Sequence, residues 1–154
     1  MSAQARGPIA LPPPVIYLAG LLIGLLLENA WPGSLLPERW GNLLGAVLVI
    51  VGAALAATAF VRFRRAGTPF DVRKPASALV TDGPYRRSRN PGYVALTIFY
   101  VGIACLLNSP WVLVMVVPVF LVVDVSVVRR EERHLQQMFG NDYVQYRKSV
   151  RRWI

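Results

Sequence analysis

The sequence is poor in the residues from which metal centres, disulfide frameworks and soluble surfaces are built. Its 154 residues include a single cysteine, Cys105, and a single histidine, His134. One cysteine cannot form an intramolecular disulfide, and without a cluster of cysteines and histidines we predict no metal site. We therefore interpret His134 as a surface residue. Only 16% of the residues are charged, which is too few for a soluble domain of this size.

Hydrophobic residues make up 55% of the chain, and the mean hydropathy is +0.44, which predicts an integral membrane protein. Apolar stretches predict four long helices, at about 15–31, 43–61, 91–107 and 110–139. The last two should form a helical hairpin, and a polar loop, 62–90, precedes them. Gly140 should end the fourth helix, and a short amphipathic helix is predicted over 142–150. The predicted fold is all-α, with about four transmembrane helices in a single domain, 1–154.

Basic residues are concentrated on one side of this arrangement. The N-terminal tail, the loop 62–90 and the region after Val128 hold 16 of the 17 lysines and arginines, and the opposite side holds only Arg39. The positive-inside rule then predicts that both termini and the loop are cytoplasmic. Anionic lipid headgroups account for the net charge of +9, so we predict no nucleic-acid partner. The basic tail 151–154 is expected to lie on these headgroups.

Small residues recur four positions apart in the first two helices. Gly20 and Gly24 lie in the first apolar stretch, and Gly41 and Gly45 lie at the start of the second. This spacing lets helices approach closely in lipid. We predict that these glycines serve helix packing.

The most distinctive stretch is LVTDGPYRRSRNPGY, residues 79–93, where a polar loop re-enters an apolar helix. A turn over 82–84 and three arginines come first. Asn90 suits the N-cap and Pro91 suits the first helical position, where its missing N–H costs nothing. The unpaired N–H groups of a helix N-terminus, next to arginines, favour an anionic ligand.

Two motifs at this spacing resemble a known family. The segment GPYRRSRNPGY at 83–93, followed by the hairpin and by RREERHLQQMFGNDYVQYRKSVRRW at 129–153, resembles the isoprenylcysteine carboxyl methyltransferase and phospholipid methyltransferase family of integral-membrane enzymes. FRRAGTPFDVRKPASALVTDG, at 63–83, resembles the bacterial branch. The resemblance implies methyl transfer from S-adenosylmethionine to a lipophilic acceptor in the membrane, either an isoprenylcysteine-like carboxylate or a phospholipid-like head group. It also implies a cytosolic active site, which we expect at a bacterial inner membrane with membrane lipids as partners. The sequence makes no prediction of the oligomeric state.

The resemblance assigns site residues position by position. Those expected to bind the cofactor are Tyr85, Arg86, Arg89, Asn90, Pro91, Tyr93, Glu132, Tyr143 and Tyr146. The candidate catalytic residues are Arg129 and Glu131 of the second motif, together with Asp124, which the resemblance does not assign. Asn90 departs from the family, because many members have histidine there and asparagine cannot shuttle a proton near neutral pH.

The chemistry of these side chains suits the implied cofactor. Arginines can hold its carboxylate, glutamates can accept hydrogen bonds from its ammonium or ribose, and tyrosines can stack on adenine or face the sulfonium. Plainer interpretations stay open at this point. The glutamate pair among arginines can be an ion-paired helix face, the tyrosines can anchor the membrane interface, and Asn90-Pro91 can be only a helix cap.

Asp124 lies within an apolar run, and its helical neighbours offer it no partner. Ionisable groups at membrane depth are usually functional, so we expect Asp124 to affect the acceptor or the packing. The same argument supports an alternative function, a small four-helix transporter that uses Asp124 or Glu28.

Overall fold

The computed structural model describes residues 12–67 and 78–154, and within these ranges all regular structure is helical. The helices are α1 (Pro13–Ala30), α2 (Glu38–Arg65), α3 (Pro91–Leu106), α4 (Pro110–Val114), α5 (Val116–Val123) and α6 (Arg129–Ser149). A 3₁₀ turn covers Gly83–Arg86, and a π-helical segment covers Asp124–Val128. The first 11 residues and 68–77 of the predicted loop lie outside the described residues. The predicted all-α fold is confirmed.

Three stretches are long and apolar enough to cross a membrane, namely Pro13–Ala30, Glu38–Arg65 and the continuous helical path Pro110–Ser149. The apolar part of that path ends at Val128, before the charged run that begins at Arg129. α3 is also apolar but has only 16 residues, so it extends about 24 Å. The integral membrane character predicted from composition is therefore confirmed for the described chain.

Proline and serine determine where several helices begin. Pro13, Pro91 and Pro110 occupy the first turns of α1, α3 and α4, where a backbone N–H would have no partner in any case. The Ser109 hydroxyl caps α4 by accepting a hydrogen bond from the Val112 amide at 3.2 Å. The turn between α3 and α4 thus forms the predicted hairpin.

Glycines set the distance between α2 and α3. A Cβ atom at Gly52 would lie 2.8 Å from the Phe99 nitrogen and 2.9 Å from the Ala95 oxygen, and one at Gly45 would lie 2.7 Å from the Leu106 nitrogen. These neighbours are backbone atoms, which cannot move aside as a flexible side chain can. Gly20, Gly24 and Gly41 also contact other helices, so the predicted packing role of the glycines is confirmed.

We expect Gly52→Val to destabilise the protein strongly, because the new side chain must push α3 away from α2. Overpacking of this kind typically costs about 1–3 kcal/mol of unfolding free energy. The midpoint of thermal unfolding in detergent would measure this loss. Ala53→Val is the matched control because Ala53 is exposed, and an equal loss in both variants would contradict the packing argument.

The end of the bundle at the turn 31–37 is held together by polar contacts. The Glu28 carboxylate accepts hydrogen bonds from the Gly33 amide and the Ser109 hydroxyl. The Asn108 side chain accepts from the Leu35 amide at 2.9 Å, and it also bonds Leu36. Glu28 therefore holds the α1–α2 turn against the hairpin. This is a structural role, whereas the transporter alternative gave Glu28 a functional one.

The orientation of the protein in the membrane remains a prediction, and two exposed positions test it. Ser34 lies in the turn after α1, and Lys148 lies near the end of α6. We expect Ser34→Cys to react with an impermeant maleimide on intact cells, and Lys148→Cys to react only after permeabilisation, since basic segments stay inside. The native Cys105 is buried and should give little background. Labelling of Lys148→Cys from outside would reverse the assigned topology.

The two sequence motifs meet at the end of the bundle where α2 ends and α3 begins. A buried cluster there joins Ala59 of α2, Val80 and Tyr85 before α3, and Tyr143 and Tyr146 of α6. Gly140, with φ 52° and ψ −121°, breaks α6 at the residue that the sequence marks as a helix end. This break starts a new helical direction for the part of α6 that carries the two tyrosines.

Candidate active site

A cavity of about 620 Å³ lies at this junction of the two motifs. Eight of the predicted site residues line it: Tyr85, Arg89, Asn90, Tyr93, Glu131, Glu132, Tyr143 and Tyr146. They come from segments about 40 residues apart in the chain, so the fold gathers them into one site. This side of the cavity carries charged and hydroxyl groups.

The rest of the cavity lining is largely apolar. It is formed by side chains of α1, α2, α3, α6 and the segment before the 3₁₀ turn, including Pro13, Ala56, Phe60, Phe63, Leu79, Val80, Leu96 and Leu135. Several of these belong to the stretches that are apolar enough to cross the membrane. A ligand in this cavity would therefore have a polar end against the motifs and an apolar part against the membrane helices.

Four predicted site residues do not line the cavity. Arg86 is exposed and lines a shallow groove with Thr81 and Gln145. Pro91 is buried at the start of α3. Arg129 and Asp124 are also outside the cavity, where they pair with each other. Each of the four can act on a ligand in this cavity only through other residues.

Arg89 is the best-placed cation in the cavity wall. Its side chain is only 9% exposed, and its Nη2 lies 3.3 Å from a carboxylate oxygen of Glu132. Its Nε and Nη1 are buried and have no hydrogen-bond acceptor among the described residues. Buried donors without partners are costly, so they mark a place where a ligand can supply the acceptor. Arg89 is thus a candidate site for a carboxylate or another anion.

The two adjacent glutamates have different environments. The Glu131 carboxylate accepts one hydrogen bond, from the Tyr93 hydroxyl at 2.9 Å. Burial, and then the neighbouring negative charge of Glu132, raise the pKa of the Glu131 carboxyl. The Glu132 carboxylate is held by Arg152, with Nε at 3.2 Å and Nη2 at 2.7 Å, as well as by Arg89. Glu131 is therefore the glutamate with the more available oxygen, and Glu132 is the counter-ion of two arginines.

Aromatic residues complete the polar side of the cavity. The Tyr146 hydroxyl donates to the Tyr85 carbonyl at 2.7 Å, and the Tyr143 and Tyr146 rings meet edge to face at 6.2 Å between centroids. Burial raises the pKa of Tyr143 to about 12, so its hydroxyl is neutral at physiological pH. These neutral rings can stack on an aromatic ligand or lie against a cation.

The prediction that Asn90 caps α3 is correct for its position but wrong for its side chain. Asn90 occupies the N-cap, yet its side chain makes no capping hydrogen bond. Its Nδ2 instead donates to the Arg152 carbonyl at 3.1 Å. A tertiary contact has replaced the local one, and the free amides of the first turn of α3 stay without a side-chain cap from Asn90.

Asp124 has the partner that helical spacing did not offer. Its Oδ2 accepts from the Arg129 Nε at 2.9 Å, and the Nη1 of Arg152 lies 3.6 Å from its Oδ1. The π-helical segment Asp124–Val128 accounts for the first contact, because its i→i+5 hydrogen bonding joins the Arg129 amide to the Asp124 carbonyl and brings the two residues together. Sequence reasoning considered only the α-helical neighbours i±3 and i±4.

Sequence reasoning also missed His134 and Arg152. His134 was predicted to be a surface residue, but it is half-buried and lines the cavity. Arg152 was placed with the basic tail on the headgroups, whereas it contacts Glu132 and Asp124. The sequence alone does not distinguish a basic residue that contacts headgroups from one that folds back onto the protein.

Comparison with known proteins identifies related chains. The sequence model of a family described as phospholipid methyltransferase matches residues 40–142. Protein-S-isoprenylcysteine O-methyltransferase B of Arabidopsis thaliana is 30% identical over 140 residues, which cover 87% of this chain and 71% of the relative. A probable protein-S-isoprenylcysteine O-methyltransferase of Oryza sativa subsp. japonica is 30% identical over 81% of this chain and 69% of its own length. The protein-S-isoprenylcysteine O-methyltransferase of Saccharomyces cerevisiae is 29% identical over 71% and 46%, respectively.

Proposed function

Because the chain belongs to the phospholipid methyltransferase family of membrane enzymes, we propose that it transfers the methyl group of S-adenosylmethionine to a lipophilic acceptor in this cavity. One observation carries the proposal. A single cavity is lined both by charged and aromatic groups of the motifs and by apolar side chains of the membrane helices. The first set suits a polar cofactor and the second suits a lipid-like chain. Family membership leaves the transporter alternative without support.

The residues present fit the cofactor. The buried and unpartnered Nη1 of Arg89, together with the neighbouring Nη2, can bind its carboxylate, and no other arginine in the described part of the chain lines this cavity. Glu131 and Glu132 can accept hydrogen bonds from an ammonium or a ribose hydroxyl. Tyr93 and Tyr146, the least covered of the tyrosines that line the cavity, offer neutral aromatic groups. When bound, the cofactor supplies an electrophilic methyl group on a sulfonium.

The protein contributes mainly alignment and exclusion of water to such a reaction. Transfer of a methyl group by direct displacement needs no nucleophilic side chain, so catalysis depends on bringing the two reacting atoms into line. Tyr93 fixes the orientation of Glu131 through its hydroxyl. Phe60, Phe63 and Leu96 line the cavity with apolar surface, which disfavours water next to the reacting groups.

The role of Glu131 depends on the chemical class of the acceptor. A carboxylate acceptor, such as that of an isoprenylcysteine, needs no base. An amine head group must first lose a proton, and the raised pKa of Glu131 suits a group that receives one. The relatives are named for O-methylation of protein-S-isoprenylcysteine, which favours the carboxylate class. We propose a carboxylate or phospholipid-like head group on a lipophilic chain.

A direct test uses the purified protein in lipid nanodiscs. Binding of S-adenosylmethionine is measured by calorimetry, and transfer is measured with methyl-labelled cofactor. Acetyl-farnesylcysteine represents the carboxylate class, and phosphatidylethanolamine represents the amine class. We expect binding together with labelling of one of the two acceptors. The proposed reaction would be overturned if the protein binds the cofactor but transfers no methyl group to either acceptor class or to any component of a lipid extract.

A further inference from the structure

Residues 150–154, here called the closing segment, fold back onto the first motif. The Arg151 carbonyl accepts a hydrogen bond from the Arg89 amide at 2.9 Å. The Arg152 carbonyl accepts from the Asn90 side chain at 3.1 Å and from the Ser88 hydroxyl at 3.3 Å. The closing segment therefore contacts three consecutive residues, 88–90, immediately before α3.

An aromatic contact fixes the other side of the closing segment. The ring of Trp153 lies 4.6 Å from that of Phe120, which belongs to α5. The closing segment is thus held between the first motif and the apolar part of the helical path Pro110–Ser149. Side chains of the closing segment can consequently reach groups of the first motif and groups of this helical path.

The Arg152 guanidinium makes use of this position. It donates two hydrogen bonds to the carboxylate of Glu132, and its Nη1 lies 3.6 Å from Asp124. The two carboxylate side chains are only 9% and 10% exposed, and Arg152 contacts both of them. Glu132 also contacts Arg89. The four side chains form a continuous series, Asp124–Arg152–Glu132–Arg89.

The geometry of this series determines what Arg152 can do. A two-bonded contact with an arginine fork fixes both the position and the plane of a carboxylate. In this plane Glu132 Oε1 also lies within reach of Arg89 Nη2. Arg89 is thereby held by one end of its guanidinium, while Nε and Nη1 stay without protein partners. Arg152 does not line the cavity, so its influence passes through Glu132.

We propose that Arg152 is a positioning residue of the methyl-transfer site, which orients Arg89 through Glu132 and ties that pair to Asp124. The inference rests on the proposed function, since the ligand of Arg89 is taken to be the carboxylate of S-adenosylmethionine. It gives the closing segment a role in cofactor binding in place of the headgroup contact predicted from its charge.

The test is a double-mutant cycle read out as the affinity for S-adenosylmethionine in nanodiscs. Arg152→Gln should weaken binding about 10- to 30-fold, as expected when a buried charge-assisted contact is lost. In the Glu132→Gln background the same change should weaken binding by less than about threefold, because the group through which Arg152 acts is already neutral. Arg152→Lys should restore only part of the loss, since it keeps the charge but not the fork.

Arg151→Gln is the matched control, because the Arg151 side chain is exposed and only its backbone carbonyl contacts the first motif. It should leave the affinity unchanged. Equal losses from Arg152→Gln in both backgrounds, or from Arg151→Gln, would show a general effect on structure and overturn the proposal. If Arg152→Gln does not fold, Arg152→Lys is compared in the two backgrounds with the same criterion. A wild-type protein that binds no S-adenosylmethionine would instead overturn the proposed function.

Discussion

Replacing Arg89 with glutamine is expected to weaken the binding of S-adenosylmethionine at least 100-fold. Arg89 Nη1 is buried without a protein acceptor, and it shares one edge of the guanidinium with Nη2, so in the complex a cofactor carboxylate can accept from both. A hydrogen bond to a charged group contributes about 1.5–3 kcal/mol, and the loss of two such bonds exceeds the ~2.7 kcal/mol that a 100-fold change requires. Glutamine keeps a donor but loses the charge and the fork geometry.

The fold should survive this change. The Glu132 carboxylate keeps its two hydrogen bonds from Arg152 when Arg89 is removed. Calorimetric titration of the variant and of Arg87→Gln measures the effect, because Arg87 is exposed and lies only two residues away. Arg86→Gln is informative as well, since the family resemblance assigns Arg86 to the cofactor whereas its side chain lies outside the cavity. If Arg86→Gln loses the affinity and Arg89→Gln keeps it, the anion site lies in the shallow groove instead.

The membrane architecture could be predicted from the sequence because its cause is local. A helix that crosses the hydrocarbon core needs about 20 apolar residues in succession, and such runs are visible without any knowledge of tertiary contacts. The ends of the helices were less accurate. The second was predicted over 43–61, but α2 is Glu38–Arg65. Charge marks the edge of the membrane and not the end of a helix, and no glycine or proline interrupts the chain after Arg62 until Gly67, where φ is 64°.

The candidate site could be predicted in part, because its residues belong to sequence motifs. Residues that share a motif are recognisable together, and eight of those assigned through the resemblance line one cavity. Spacing alone cannot distinguish Arg86 from Arg89, since both precede α3 within a short loop. The 3₁₀ turn Gly83–Arg86 and the contacts of residues 88–90 with the closing segment separate them, leaving Arg86 exposed and Arg89 at the cavity.

Long-range contacts account for what the sequence could not show. Asp124 contacts Arg129 across a π-helical segment, and such segments have no characteristic amino-acid composition. It also lies near Arg152, which is 28 positions further along the chain. The Asn90 side chain exchanges a local cap for a carbonyl 62 residues away. In each case a local preference is weak, about 1 kcal/mol for a cap, and a tertiary contact of similar strength can replace it.

The second large effect concerns the adjacent glutamates, which we expect to affect different steps. Glu132→Gln should weaken S-adenosylmethionine binding about 10- to 150-fold, the equivalent of about 1.5–3 kcal/mol for a charge-assisted contact. Its carboxylate is the counter-ion of Arg89 and Arg152, so a neutral amide leaves both arginines less well oriented. Glu131→Gln should change the affinity only a few-fold, because Glu131 has one protein hydrogen bond, from Tyr93, and no arginine partner among the described residues.

Turnover should show the reverse ranking. If Glu131 receives a proton from an amine acceptor, Glu131→Gln should lower kcat about 100-fold or more, the usual contribution of a positioned base. Burial raises the pKa of Glu131, and a base acts only when deprotonated. The kcat of the wild type should therefore be low below this raised pKa and should increase as the pH rises through it. The variant should show no such step. With a carboxylate acceptor no proton is transferred, and the step should be absent from both proteins.

Measuring the affinity and kcat of both variants against both acceptor classes decides between these roles. A large loss of affinity in Glu131→Gln with little change in Glu132→Gln would exchange the two assignments. Two variants that bind and turn over like the wild type would remove the glutamate pair from the site. The pH profile adds independent information, because a structural defect in Glu131→Gln would lower kcat at all pH values without removing a titration step. A step that persists in Glu131→Gln would show that Glu131 is not the group that titrates in turnover, and would remove its assignment as the base.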